Sequence, residues 1–294
     1  MPHRTSKPNA GAKQEPTAGD DAAGSLRGAR VLVTRAREDF AALADLLAAR
    51  GARAVPLPCL QLVEPSSREE LDDLLGRLRA GILPELIVLS SPHAVRRFFA
   101  ALSAASIPTD RWTAPRADDA PPPQFAAVGA ATARALLDHG VQPALQPAEG
   151  AGAAALLASL GEVAAMRILL PGAEEATPDL AEGLLGRGAI VHSVPLYKTL
   201  PASNADPIGE AAIRERALDA IAFASGSAAK GFAALFGAGA ASLSAPFAVA
   251  CIGQGCAKAA RGAGLRVDAV GTGGLPELVD AVGAAIQAHR GGGS

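Results

Sequence analysis

Four short segments of the chain carry small, hydroxyl-bearing or glycine residues where a strand pattern gives way to a helix pattern: Ser90-Ser91, Gly129 to Thr132, Ser225 to Ser227 and Gly253 to Cys256. A turn of this kind at the carboxyl end of a parallel strand leaves helix N–H groups unpaired and presents the positive end of the helix dipole. It suits an anion such as a carboxylate or phosphate. Arg35, Lys230 and Lys258 stand beside these turns and could add charge. Taken singly, each also reads as a solvated cation on a helix face. The anion-binding candidates are therefore Arg35, Ser90, Ser91, Gly129, Thr132, Ser225, Ser227, Lys230, Gly253, Gly255 and Cys256.

The single tyrosine, Tyr197, stands two residues after Pro195 in the run SVPLYKTL (193–200). With an ordinary phenol pKa of about 10 it is protonated at neutral pH and able to donate a hydrogen bond. Its other reading is a ring that packs between two extended segments. His93, His139 and His192 lack the mutual spacing of a zinc site and read as surface or capping residues. Cys59, Cys251 and Cys256 show neither CxxC spacing nor disulfide density, which leaves reduced thiols. Gly253-Gln254-Gly255 with Asp268 echoes a dinucleotide fingerprint, but Lys258 occupies the place of the third glycine and the acid follows too soon.

The elements that must hold these residues occur twice. Arg30, Leu32, Glu38, Leu43, Leu47, Arg50, Gly51 and Pro58 recur without a gap as Arg167, Leu169, Glu175, Leu180, Leu184, Arg187, Gly188 and Pro195, 137 positions on. A second repeat interleaves with the first: Ile87 to Ser91 matches Ile221 to Ser225, and Gly129 matches Gly253. The chain reads A, B, A′, B′. Each A copy is a strand-helix-strand unit that ends in a proline-containing extended run, at 55–62 and at 193–200.

Short apolar strands are expected at 31–34, 86–90, 125–129, 141–145, 167–171, 189–194, 219–224, 247–252 and 266–270. Helices at 39–50, 69–78, 93–102, 131–138, 152–160 and 178–186 follow from apolar spacing and from stop signals such as Gly51. Leu86 to Ser90 is apolar almost throughout, as in a parallel strand buried on both faces. This alternation calls for an α/β fold with parallel sheets of flavodoxin-like order, five strands per domain. Two pairings are open. Read sequentially, AB and A′B′ would be the domains; the alternative joins A with B′ and B with A′.

With 49% hydrophobic and 19% charged residues over 294 positions, the chain can bury more than one core. A net charge of −2 with scattered basic residues argues against a nucleic-acid binder. No apolar run approaches the roughly 20 residues of a membrane helix, and no signal-peptide pattern opens the chain, so a cytoplasmic protein is expected. Residues 1–28 read as a disordered tail. Gly291 to Ser294 reads as a second tail, outside the fold.

The ordered motifs VLVTR (31–35), IVLSSPHAV (87–95), AVGAATARAL (127–136), VPLYKT (194–199), IAFASGSAAKGF (221–232) and CIGQGCAKAA (251–260) resemble the uroporphyrinogen-III synthase family over 29–288. The resemblance implies the second pairing: residues 29–58 plus 199–288 in one discontinuous domain and 62–192 in the other. A two-stranded antiparallel ribbon from hinge strands 55–62 and 193–200 would join them, with an active site in the cleft. It also implies a cofactor-free, metal-free lyase of haem biosynthesis that cyclises hydroxymethylbilane, an eight-carboxylate linear tetrapyrrole, with inversion of the last pyrrole ring and loss of water. Handover of that substrate by hydroxymethylbilane synthase and a monomeric state follow from it too. Tyr197 would then donate to the departing hydroxyl. The family usually carries a Thr pair where this chain has Gly255-Cys256, so either backbone N–H groups bind there or the subsite is weakened. The competing readings are a nucleotide- or small-ligand-binding α/β protein without catalysis, and a degenerate duplicate serving as a regulatory module.

Overall fold

In the computed structural model the described residues are 26–108, 112, 121–148 and 152–291. In chain order the elements are β1 (Arg30–Val33), α1 (Phe40–Ala49), β2 (Arg53–Pro56), β3 (Leu60–Val63), α2 (Glu69–Arg79), β4 (Leu86–Leu89), α3 (Pro92–Ala104), β5 (Gln124–Ala127), α4 (Ala130–Asp138) and α5 (Ala153–Ser159). There follow β6 (Arg167–Ala173), α6 (Asp179–Leu185), β7 (Ile190–Pro201), α7 (Pro207–Arg214), β8 (Ala220–Phe223), α8 (Gly226–Phe236), α9 (Ala240–Ser244), β9 (Ala248–Cys251), α10 (Gln254–Gly262), β10 (Ala269–Val270) and α11 (Leu275–Gly291).

Contacts divide the chain into two units, 1–61 with 201–294, and 62–200. The first unit holds a sheet of order β10-β9-β8-β1-β2. In order of appearance that is the flavodoxin-like 2-1-3-4-5 arrangement. Its strand pairings are all parallel, with Val31 opposite both Ala54 and Ala220. Copy A thus shares a sheet with copy B′.

The two faces of this sheet differ in residue size. Leu32, Ile221, Phe223 and Val249 pack on one side with Phe232 and Phe247. Val31, Val33, Ala220, Ala222, Ala248 and Ala250 face the other, against Leu43 and Leu47 of α1 and Leu278, Val282 and Ile286 of α11. Small alanines let α11 lie close to the strands, while the large aromatics fill the opposite layer. Each large apolar side chain contributes about 1.5–3 kcal/mol when fully buried.

The second unit holds the sheet β3-β7-β6-β4-β5. Its β6–β7 register, Arg167 opposite Ile190, repeats that of Arg30 opposite Arg53 in the first sheet. Leu86 opposite Ile168 likewise repeats Ala220 opposite Val31. The duplication therefore preserved strand register as well as sequence. Phe98, Phe99, Trp112 and Phe125 stack in one core layer, with ring centroids 5.6–6.2 Å apart for the contacting pairs.

Several sequence expectations need correction. The strand expected at 141–145 shrinks to a single bridge between Leu145 and Ala126, because Pro143 and Pro147 cannot donate to a ladder. The strand expected at 266–270 is reduced to Ala269–Val270. The run 55–62 is not one extended strand. Pro56 and Pro58 interrupt it; Leu57 donates to Val33 O at the end of β1 and Cys59 to Thr34 O just past it, before β3 begins. By contrast, 190–201 is one unbroken strand, and β3 neighbours it at the edge of the second sheet. Ordered structure begins before Ala29: Leu26 is buried and its N–H bonds Arg50 O. The expected tail at 1–25 lies outside the described residues, and Gly291 belongs to α11.

Candidate active site

In each unit the candidate turns lie at the carboxyl ends of two adjacent parallel strands. In the second unit these are β4 and β5. Ser91 is extended at φ −154° and caps α3, its Oγ accepting from Ala94 N at 3.0 Å, with Pro92 in the first turn. Gly129 caps α4 from an extended backbone, φ −170°. Ser90 is exposed, and Thr132 is buried within the first turn of α4. A serine oxygen at the cap satisfies one of the orphan donors and leaves the others to a ligand.

The first unit repeats this arrangement at β8 and β9. Ser225 caps α8 by accepting from Ala228 N at 3.0 Å, and Gly253 caps α10 at φ −170°. Ser227, Lys230, Gly255 and Lys258 are exposed, and Lys230, Gly255 and Lys258 line one open groove of about 390 Å³ along α10. Arg35 follows β1 and pairs with Asp39 at 3.1 Å, while its Nε is buried without a hydrogen-bond partner. Cys256 points the other way. The residue is 6% exposed and its thiol donates to Phe223 O at 3.4 Å, so the side chain serves the core and only its backbone faces the turn.

Tyr197 lies on β7 in the second unit, 6% exposed, with its ring in the aromatic core layer. Its hydroxyl is 3.0 Å from Ser91 Oγ. The Arg97 guanidinium lies 5.8 Å from the ring centroid, and the His93 ring 6.1 Å away. Arg97 also donates to Glu64 Oε1 at 3.2 Å. Next to Tyr197 on the strand, Lys198 Nζ bonds Glu174 Oε1 and Ser66 Oγ, both at 2.9 Å. The Ser66 N–H and the Lys198 ammonium hold the Glu174 carboxyl down to about 2.

Sequence reasoning named Ser91 and Tyr197 separately but not their contact, which spans 106 positions. It also missed Arg97, Ser66 and Glu174. Only the position of Lys198, directly after Tyr197, hinted at a polar cluster there. Of the histidines, His139 caps the end of α4 and stacks on Phe99 at 4.5 Å, and His93 Nδ1 lies 3.0 Å from Arg96. Cys59 is buried, which pushes its thiol well above the usual range.

The family model described as uroporphyrinogen-III synthase HemD matches residues 41–272. The chain belongs to the uroporphyrinogen-III synthase family. Members of this family are lyases of haem biosynthesis. The chain is 28% identical over 211 residues to the uroporphyrinogen-III synthase of Synechococcus elongatus, an alignment covering 71% of this chain and 75% of that protein. Its fold is similar to that of a mutant uroporphyrinogen III synthase from the extremely thermophilic bacterium Thermus thermophilus, with a TM-score of 0.55, 22% identity and coverage of 88% and 99%. It is also similar to the uroporphyrinogen-III synthetase of Helicobacter pylori, with a TM-score of 0.52, 14% identity and coverage of 87% and 97%.

The nucleotide-binding reading loses its key residue. Asp268 Oδ2 accepts from Val249 N at 2.8 Å and the carboxylate pairs with Arg266, so it locks a strand edge and is not offered to a ribose. No helix among the described residues is long and apolar enough to cross a membrane.

Proposed function

We infer that this member of the uroporphyrinogen-III synthase family acts on hydroxymethylbilane without a metal or cofactor, and that the duplicated turns receive the carboxylates of that substrate. The observation that carries this reading is the repeated geometry. Ser91 and Gly129 in one unit, and Ser225 and Gly253 in the other, open helices at the carboxyl ends of adjacent parallel strands. Eight carboxylates need many fixed donors, and helix N-termini supply them without ordering long side chains. Ser90, Ser227, Gly255 and Cys256 contribute at these turns, the last two through their backbone, while Thr132, 3% exposed, packs within the first turn of α4. Arg35 and Lys230 add positive charge.

Loss of the terminal hydroxyl generates an azafulvene cation, and the far end of the chain then attacks through a spiro intermediate. Holding the two substrate ends together supplies most of the acceleration as a proximity effect. Tyr197 supplies the donating hydroxyl for that departure, directly or through Ser91, whose Oγ lies 3.0 Å from it. The adjoining pyrrole nitrogen already pushes electron density toward that group, so no strong acid is required. We further expect a cytoplasmic monomer that takes its substrate from hydroxymethylbilane synthase. The test is to incubate the chain with hydroxymethylbilane, with and without a chelator, and identify the isomer. Type III product in both arms supports the reading, whereas the spontaneous type I product alone overturns it.

A further inference from the structure

Resting on the function just inferred, the contact between Ser91 and Tyr197 can be taken further. Ser91 Oγ lies 3.0 Å from Ala94 N and 3.0 Å from the Tyr197 hydroxyl. A hydroxyl oxygen accepts at most two hydrogen bonds and donates one. The Ala94 N–H can only donate, so one of the two lone pairs is committed to capping α3. If the phenol donates into the second, the Ser91 proton is left to point outward. The exposures of the two side chains favour this orientation, since Tyr197 is 6% exposed whereas Ser91 is half-buried and follows exposed Ser90.

We propose that Ser91 is the group that touches the departing hydroxyl, and that Tyr197 acts through it as the inner member of a two-hydroxyl relay. As the substrate C–O bond breaks, its electron pair stays on oxygen. Ser91 passes its proton to that oxygen and takes the phenol proton in the same motion, so that water leaves. The negative charge rests on the Tyr197 oxygen, on a ring whose centroid is 5.8 Å from the Arg97 guanidinium. The proton lost from the pyrrole carbon when the ring closes returns along the same path. The net change is the loss of one water.

The relay makes Ser91 as important as Tyr197 and makes the two non-additive. Ser91 also caps a helix, so the diagnostic substitution is Ser91→Gly, because glycine is tolerated at a cap far better than alanine. Ser91→Thr keeps both the cap and the hydroxyl. The readouts are the rate of type III formation at saturating hydroxymethylbilane, the isomer ratio and the thermal midpoint. We expect Ser91→Gly and Tyr197→Phe each to slow type III formation by roughly ten- to a hundredfold. The double variant should be no slower than the worse single one, and Ser91→Thr, which keeps a hydroxyl at the cap, should lose less rate than Ser91→Gly. Unimpaired Ser91→Gly, or a double variant whose losses multiply, overturns the relay while leaving the function standing. A parent chain that yields only the type I isomer overturns the function and the relay with it.

Discussion

The interior of α8 provides a sharp test of how the first unit is built. A Cβ placed on Gly231 would lie 2.3 Å from the Cys59 carbonyl oxygen, 3.1 Å from its carbon and 3.2 Å from Leu60 Cδ2. Ordinary contact begins at 3.4 Å, so the methyl falls roughly 1 Å short of fitting, and its nearest obstacle is backbone. That carbonyl also accepts the Ala202 N–H at 3.0 Å and cannot move freely. On helix propensity alone, Gly231→Ala would gain about 1 kcal/mol. Overpacking of this kind costs about 1–3 kcal/mol, and the rigid neighbour places this site at the upper end. The net expectation is a loss of about 1–2 kcal/mol, the difference between these two effects. Gly283→Ala in α11 is the matched control, because its Cβ would meet only Leu26 Cδ2 at an ordinary 3.6 Å. It should gain up to about 1 kcal/mol. Urea unfolding followed by circular dichroism, with midpoint and slope compared among the three chains, measures both. A Gly231→Ala chain as stable as Gly283→Ala would refute the close packing of α8 on Cys59 and Leu60.

Tyr197→Phe should slow type III formation by roughly ten- to a hundredfold, or about 1.4–2.7 kcal/mol of transition-state stabilisation, with the thermal midpoint nearly unchanged because the ring still fills its place; turnover within a factor of two of the parent would leave the residue a packing role only. Cys256→Thr should alter the KM for hydroxymethylbilane less than about twofold, a change worth only a few tenths of a kcal/mol, since this side chain faces Phe223 O and the core; a large fall in KM would mean that a hydroxyl at this position reaches the substrate. The Glu174 carboxyl has a folded value of about 2 against an ordinary 4.5, so its contribution to stability is complete above pH 4.5 and is lost as the pH falls through 4.5 toward 2. Glu174→Gln should therefore flatten the decline in urea midpoint between about pH 5 and about pH 2.5, and an unchanged slope would contradict the Ser66–Glu174–Lys198 cluster.

Much of the architecture was legible in local pattern. Apolar runs such as Leu86 to Leu89 identify buried parallel strands, and the 137-position repeat marks the strand-helix-strand unit that the two sheets share with a common register. Ser91, Ser225, Gly129 and Gly253 are readable as helix starts because capping depends on a few neighbouring residues. Pattern could not place prolines relative to a ladder. Pro143 beside Leu145 left a single bridge, and Pro56 and Pro58 broke an expected strand in two. Side-chain direction was equally hidden. Gly255-Cys256 stands where the family usually carries a threonine pair, yet only the packing of α10 on the sheet decides that the Cys256 thiol points at Phe223 O.

The sequence by itself determined which residues stand at the strand ends, since strand, turn and helix each leave a signature within a dozen positions. Local pattern left open whether β1 lies beside β4 or β8, a pairing the family resemblance implied and the sheet order shows, and only the tertiary structure brings Tyr197, far along the chain, to the cap of α3. The reason is that pairing in a parallel sheet is non-local. Copy A satisfies its strand hydrogen bonds equally well beside B or beside B′, and local pattern scores the two alike. The choice rests on the sum of core contacts made once the whole sheet is assembled.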